Sequence, residues 1–378
     1  MSDNHFAGAE RAAGYGVEEH EPITPPPVAP VAVEEPAPPA AVIESVPEAL
    51  EATADAAPTV ATTPGELLAG LTRASLRSST PPVAKTGWRG FWARVGFKPE
   101  PSAAEKAVLE AAASLARDEE IIRQATYTRP IGVLVANPKG NASKTTVSLA
   151  LGGTLAYCRG GGLAIVEVAE DPGTLTLRAE GNPRRGIGHL VAEHDEVNSA
   201  GRLDGYTAPQ TSYARVIGST GPREALTARA VADVVQVVDE YFSMRVMDSG
   251  NQYTSPVFRA AVEAADVLVI PTLNAADTAT KALELLDSLR AQGGHAAELA
   301  KTAVVLVLTD GRVEIPAVTE GVTQALAHAE VGQILSIPFD AHLAQRGEIT
   351  LSQLHPDTYR AFVAAGAAVI RALEGITN

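Results

Sequence analysis

The chain has 378 residues, a net charge of −15 and only 4% aromatic residues. Its single cysteine, Cys158, excludes an internal disulfide framework, and no run of 18 or more apolar residues offers a transmembrane helix. The acidic balance argues against partners held by phosphate counterion release, so DNA is not an expected ligand.

The first segment, residues 1–84, carries Pro25-Pro26-Pro27, Pro38-Pro39, many alanines and acids such as Glu18-Glu19 and Glu34-Glu35, with Arg11 the only strong base before Arg73. One-sided charge and sparse apolar side chains cannot offset ordering entropy, so a disordered Pro/Ala/Glu-rich N-terminal arm is expected. It lacks a basic n-region and an apolar h-region, so a signal peptide is not expected and a cytoplasmic location is. A second segment, residues 85–128, opens with Trp88 and Trp92 interleaved with Lys85, Arg89, Arg94 and Lys98. That pattern suits docking on the chain's own surface, a protein partner reached through residues 1–100, a membrane surface, or nucleic acid. Ser102 and Glu105 then read as a capping box opening an amphipathic helix over 102–124, with Val108, Leu115 and Ile122 on one stripe. Its acidic end, Asp118-Glu119-Glu120, is expected to be a solvated face.

From residue 129 to 378 strands and helices alternate. Strands are expected at 131–136, 163–168, 213–217, 244–248, 267–271, 303–308 and 333–338. Helices are expected at 144–158, 225–239, 254–264, 277–291, 316–328 and 356–374. Continuous Val/Ile/Leu runs between helices predict an α/β fold, a mostly parallel, doubly wound sheet covered on both faces. Ligands of such sheets bind beyond the carboxyl ends of the strands. His189, Glu193 and His194 form a local cluster that reads as a solvated helix face rather than a metal site.

The first strand, Ile131 to Ala136, runs into Asn137-Pro138-Lys139-Gly140-Asn141-Ala142-Ser143-Lys144-Thr145-Thr146. Strand, small-residue loop ending in Lys-Thr, then helix is the layout of a phosphate-binding P-loop, in which backbone N–H groups and a helix N-terminus face the phosphates. Lys144 would carry the positive charge and Thr145 would offer its hydroxyl to Mg²⁺. Asp248, closing the apolar strand Met244 to Met247 before Ser249-Gly250, reads as the carboxylate that holds Mg²⁺.

Lys-Gly-x-x-x-Lys-Thr-Thr resembles the deviant Walker A loop of the ParA/MinD family of ATPases, with Asn141 and Ser143 where that family has glycines. The resemblance covers roughly residues 129–375 and implies a P-loop NTPase fold that binds ATP and Mg²⁺. It also implies a homodimer formed on ATP binding, with Lys139 reaching across to the partner's phosphates. Aligning Gly173-Thr174-Leu175 with the family's Gly-Thr-Leu puts Glu167 at its first strand-end Asp and Ala169 at the second, which lies near the attacking water. The resemblance thus offers Lys139, Lys144, Glu167 and Asp248 as catalytic. Glu170 or Asp171 stands nearby as a substitute for the missing Asp. Two later strand ends, Thr309-Asp310 and Pro338 with Asp340, are expected near the base. The acidic arm and Trp-Arg segment look like those of MinD-like proteins associated with type VII secretion. The expected function is an ATP-binding, slowly hydrolysing dimer switch that positions or regulates a secretion, division or partition complex. The alternative is a non-catalytic nucleotide-binding scaffold. The C-terminal helix does not resemble a basic amphipathic anchor and is expected to pack on the sheet, so any peripheral membrane contact would run through a partner.

Overall fold

The computed structural model describes residues 102–377; the acidic arm and the basic-aromatic segment lie outside them. The first element, α1, spans Ala103–Gln124. Its capping box is the expected one: Ser102 N donates to Glu105 Oε2 at 2.9 Å and Glu105 N to Ser102 Oγ at 3.2 Å. Then follow β1 (Ile131–Val135), α2 (Lys144–Arg159), β2 (Leu163–Val168), α3 (Leu175–Arg178), α4 (Ile187–Glu193), α5 (Ala200–Asp204), β3 (Ala208–Pro209) and β4 (Arg215–Ile217). The middle holds α6 (Ala228–Tyr241), β5 (Met244–Ser249), α7 (Pro256–Glu263), β6 (Val267–Leu273), α8 (Ala276–Gln292) and α9 (Gly294–Thr302). The end holds β7 (Val304–Leu308), α10 (Pro316–Ala327), β8 (Gln333–Ile337), α11 (Ala341–Ala344) and α12 (Pro356–Thr377).

The strands form one sheet in the order β3-β4-β2-β5-β1-β6-β7-β8. Only the β3–β4 edge pair is antiparallel. This is the mostly parallel, doubly wound α/β sheet that the sequence predicts. Register decides where the chemistry gathers. Val135 lies opposite Asp248, and Asp248 lies opposite Glu167. The central strands β2, β5 and β1 therefore end level with one another. The chain leaves β1 for β2 on one side, and leaves β5 for β6 on the other. That reversal opens a crevice beyond the carboxyl ends, where doubly wound sheets take ligands.

Alternation along β1 splits the core into two. Ile131, Val133 and Val135 pack with residues of α1, α2 and α12, whereas Leu134 and Ala136 pack with residues of α6, α7, α8 and α9. A Cβ on Gly152 would lie 2.7 Å from Ile165 Cδ1, so the glycine lets α2 sit close against β2 and fixes the loop at its head. α12 packs on the sheet, as expected, and also on α1 and α2.

Four expectations need correction. Asp118-Glu119-Glu120 is not simply a solvated face: Arg371 donates to Asp118 Oδ1 at 2.6 Å and Tyr359 Oη to Glu119 Oε1 at 3.3 Å. These bonds fasten the C-terminal half of α1 to α12. At its other end Val108 is 69% exposed, so the stripe is buried only at Ile122. The strand expected at 213–217 begins at Arg215, because Tyr213 has φ of 69° and leaves extended geometry. The helix expected at 225–239 starts at Ala228, where Thr227 Oγ1 accepts from Ala230 N as N-cap. Among the described residues no group of three His, Cys, Asp or Glu gathers to hold a metal, and no helix is long and apolar enough to cross a membrane.

Candidate nucleotide site

The loop between β1 and α2 is pinned at its start by Asn137, which is fully buried. Its Nδ2 donates to Pro271 O at 2.8 Å on β6, and its Oδ1 accepts from Lys139 N at 2.9 Å. Asn141 and Ser143 both adopt left-handed backbone, φ 62° and 66°. Glycine would take those angles freely; a residue with a Cβ loses about 1–2 kcal/mol at each. Gly140 carries no positive φ, and Ala142 is buried beneath the loop. Ser143 occupies the N-cap position of α2 but makes no side-chain cap hydrogen bond. Its side chain therefore leaves the first-turn N–H groups of α2 for another acceptor, as an anion site requires.

Behind the loop, Lys144 Nζ donates to Asn137 O at 2.8 Å, Lys139 O at 3.2 Å and Asn251 Oδ1 at 2.5 Å. Burial pulls its pKa down to about 8, opposed by the nearby Asp248 carboxylate. Asp248 accepts from Thr145 Oγ1 at 2.8 Å and Ser148 Oγ at 3.0 Å. Burial pushes its carboxyl up to about 6 against those two hydrogen bonds and Lys144, with Glu167 adding to the rise. A threonine hydroxyl and a carboxylate 2.8 Å apart at a strand end form an all-oxygen donor pair that suits Mg²⁺. Both perturbed groups would be relieved by a polyphosphate with its cation, so the residues present fit that ligand.

The Asp248 shift has a measurable consequence. A carboxyl raised from 3.8 to about 6 on folding destabilises the fold above that range, on the order of 3 kcal/mol at neutral pH. The penalty is absent below the unfolded value, sets in as pH rises from about 4 through 6, and is complete at 7. Asp248→Asn should therefore raise the thermal midpoint of nucleotide-free protein by several degrees at pH 7.5 and by much less at pH 4.5. Calorimetry at the two pH values checks this; an equal gain at both would refute it.

Glu167, at the end of β2, is 1% exposed and pairs with Arg223 at 2.9 Å. It also accepts from Ser219 Oγ and from Gly173 N. The same guanidinium donates to the carbonyls of Ala169 at 2.9 Å, Glu170 at 2.6 Å and Asp171 at 3.0 Å. Glu167 and Arg223 thus fasten the loop after β2, and Ala169 and Glu170 line a cavity of about 340 Å³ with Lys144, Thr145, Asp248 and Gly250. Glu170 Oε1 is buried without a hydrogen-bond partner, and its Oε2 lies 2.9 Å from where a Cβ on Gly250 would be.

A second cavity, about 380 Å³, opens beside the first and is lined by Leu308, Thr309, Asp310, Pro338, Phe339 and Asp340 among others. The expected base-end residues are brought together there, with differing freedom. Thr309 Oγ1 donates to Glu314 Oε1 at 3.2 Å, and Asp310 pairs with Arg312 at 2.5 Å. Asp340 is buried and committed to the backbone, accepting from His342 N, Leu343 N and His355 N. Lys139 lines neither cavity; its amine is half exposed, 3.0 Å from Asp277 Oδ2. Sequence reasoning gave no role to Asn137, Ser148, Arg178, Ser219, Arg223 or Asn251. Asn251 lay in plain view one residue beyond Gly250, whereas the remote loop carrying Ser219 and Arg223 gave no signal.

No family model matches the chain. It is 25% identical over 244 residues to the ESX-1 secretion-associated protein EspI of Mycobacterium tuberculosis, a match covering 63% of this chain and 36% of EspI. The chain thus spans about a third of that relative's length. Among solved structures it is similar to a ParA family ATPase from Chlorobium tepidum (TM-score 0.49, 13% identity, 67% of this chain and 99% of that one). It is also similar to the cell division ATPase MinD from Pyrococcus furiosus (0.46, 16%, 65% and 99%) and to a Cyanothece McdA–ATP complex (0.45, 18%, 64% and 97%). The chain resembles ParA/MinD-like ATPases and a secretion-associated protein, as its loop and arm led us to expect.

Proposed function

We propose that this chain binds ATP with Mg²⁺ and works as a nucleotide-timed dimer switch that positions or regulates a cellular complex. The observation that carries the reading is the convergence of Lys144, Thr145 and Asp248 at level strand ends, under a loop whose helix N-terminus lacks a side-chain cap. In it Lys144 and the first turn of α2 hold the phosphates, and Thr145 and Asp248 hold the metal, which would neutralise phosphate charge when bound. Thr309, Asp310 and Pro338 form the base end, with Asp340 shaping it from behind as a helix cap. The similarity to EspI favours a secretion complex as the target. A protein partner acting through residues 1–100 would make the connection, and DNA is not required. A second reading, a scaffold that binds nucleotide without turnover, is favoured by Ala169 in the cavity wall and by the left-handed Asn141 and Ser143.

Lys139 supplies the test. Its amine pairs with an exposed Asp277, an ion pair that solvent screens and that a bound partner's phosphates would readily replace. Lys139→Ala is expected to leave ATP affinity of the monomer within about threefold while removing ATP-dependent dimers in light scattering. If ATP with Mg²⁺ produces no dimer of the unmodified chain, the switch falls and the scaffold reading stands. If Lys139→Ala costs affinity and dimers equally, Lys139 acts on its own subunit.

A further inference from the structure

Arg178 ends α3 at the junction of the two cavities. Asn141, Ser143, Thr146, Thr174 and Arg178 line both of them. On one side lie Lys144 and Asp248; on the other lie Leu308, Pro338 and Phe339. A ligand that places a polyphosphate in the first and a nucleoside in the second must cross this shared wall.

The guanidinium is positioned but not satisfied. Nη1 donates to Thr146 Oγ1 at 2.5 Å, and Nε makes a long bond to Gly347 O at 3.4 Å. Nη2 is buried and has no hydrogen-bond partner. Among the described residues no carboxylate forms an ion pair with Arg178. Arg346, also on the wall of the second cavity, faces it with like charge. Burial and that repulsion lower the Arg178 pKa, with Asp248 partly offsetting them. A half-buried cation with one buried open donor and no counter-ion is left for a ligand to complete. Arginine's planar fork suits a phosphate group better than a point charge does.

Thr146 is the second residue after Lys144 and stands in the first turn of α2. It lies on the base side of the loop, since it lines the second cavity and Lys144 does not. A phosphate beside it would be the one that joins the chain of phosphates to the nucleoside.

We propose that Arg178 is a phosphate ligand for the α-phosphate of a bound nucleoside di- or triphosphate. The inference rests on the nucleotide reading above and adds a residue and an atom to it. Arg178 then recognises the shared part of ATP and ADP rather than the γ-phosphate. It does not distinguish the two nucleotides and contributes to holding either.

Calorimetric titration with ATP and with ADP in Mg²⁺ tests this on the full chain, on Arg178→Met and on Arg178→Lys. Methionine keeps the apolar stem and removes the charge; lysine keeps the charge and removes the fork. Arg178→Met should weaken ATP and ADP binding by the same factor, roughly 10- to 100-fold. Arg178→Lys should recover part of that loss. The thermal midpoint of the nucleotide-free methionine variant should not fall, because a buried donor without a partner has been removed. Affinities within twofold of the unmodified chain would overturn the assignment. So would a loss confined to ATP, which places the group at the γ-phosphate. So would a lower nucleotide-free midpoint with no rescue by lysine, which marks a purely structural arginine. Failure of the unmodified chain to bind either nucleotide is a separate result, seen before any variant is made, and it removes the nucleotide reading as well.

Discussion

Lys144→Ala is expected to abolish measurable ATP binding, a loss greater than 100-fold. Lys144 Nζ already has three oxygen acceptors, Asn137 O, Lys139 O and Asn251 Oδ1, but all are formally neutral. Burial holds its pKa near 8, so the amine is charged at pH 7 and short of compensation. Phosphates supply that compensation, and they in turn lose their nearest buried cation when alanine replaces it. Lys139 cannot stand in, because its amine is half exposed beside Asp277 and lines neither cavity. The same reasoning gives a sign with pH. Binding of anionic phosphate favours the charged amine and raises its pKa, so affinity should decline as pH rises through 8 towards 9 and be level between 6.5 and 7.5. Titration with a fluorescent ATP analogue in Mg²⁺ reads both effects. Unchanged affinity in Lys144→Ala would sink the P-loop assignment.

The sheet was legible because its central strands are buried on both faces and show as unbroken apolar runs, such as Val267 to Ile270 and Val304 to Leu308. The long helices were legible from period and caps. The short pieces were not: α3, α4 and α5 have four to seven residues, too few for a helical period to emerge, and β3 has two. At the site, the residues adjoining the loop could be read because chain neighbours there are also spatial neighbours. Lys144, Thr145 and Asp248 come together through a register that strand order makes simple. Arg223 could not be read. It is 56 residues from Glu167, and only the turn of chain between β4 and α6 brings its guanidinium to the end of β2. Arg178 was hidden for a related reason, since its helix is one turn long and its partner Thr146 sits 32 residues earlier. Ser143 shows the converse. Set beside a glycine loop it stands out as an anomaly, and its φ of 66° shows that serine has taken a backbone conformation that glycine adopts freely.

Turnover is the last expected result, and Glu170 decides it. The family resemblance puts a water-orienting carboxylate at position 169, where this chain has alanine. The next residue carries a carboxyl into the same cavity as Lys144 and Asp248. One of its oxygens has no protein partner, and the absence of a side chain at Gly250 leaves room for the other. Arg223 grips the Ala169, Glu170 and Asp171 carbonyls, so the backbone that carries this carboxyl is fixed from behind. A carboxylate one position further along the loop would approach an attacking water from a different angle, and a misaligned orienting group raises the barrier even when phosphates and metal are well held. Slow basal hydrolysis of ATP is therefore expected from the unmodified chain. Glu170→Gln should lower that rate about 100-fold while ATP affinity stays within threefold, because glutamine keeps the shape and removes the acceptor charge. Asp171→Ala, on an exposed side chain, should leave the rate unchanged. Ala169→Asp should raise it. Phosphate release measured at saturating ATP with Mg²⁺ reads all three. Brisk turnover insensitive to Glu170→Gln would show that the loop after β2 does not orient the water, and no turnover in any variant would leave the chain as a nucleotide-binding scaffold.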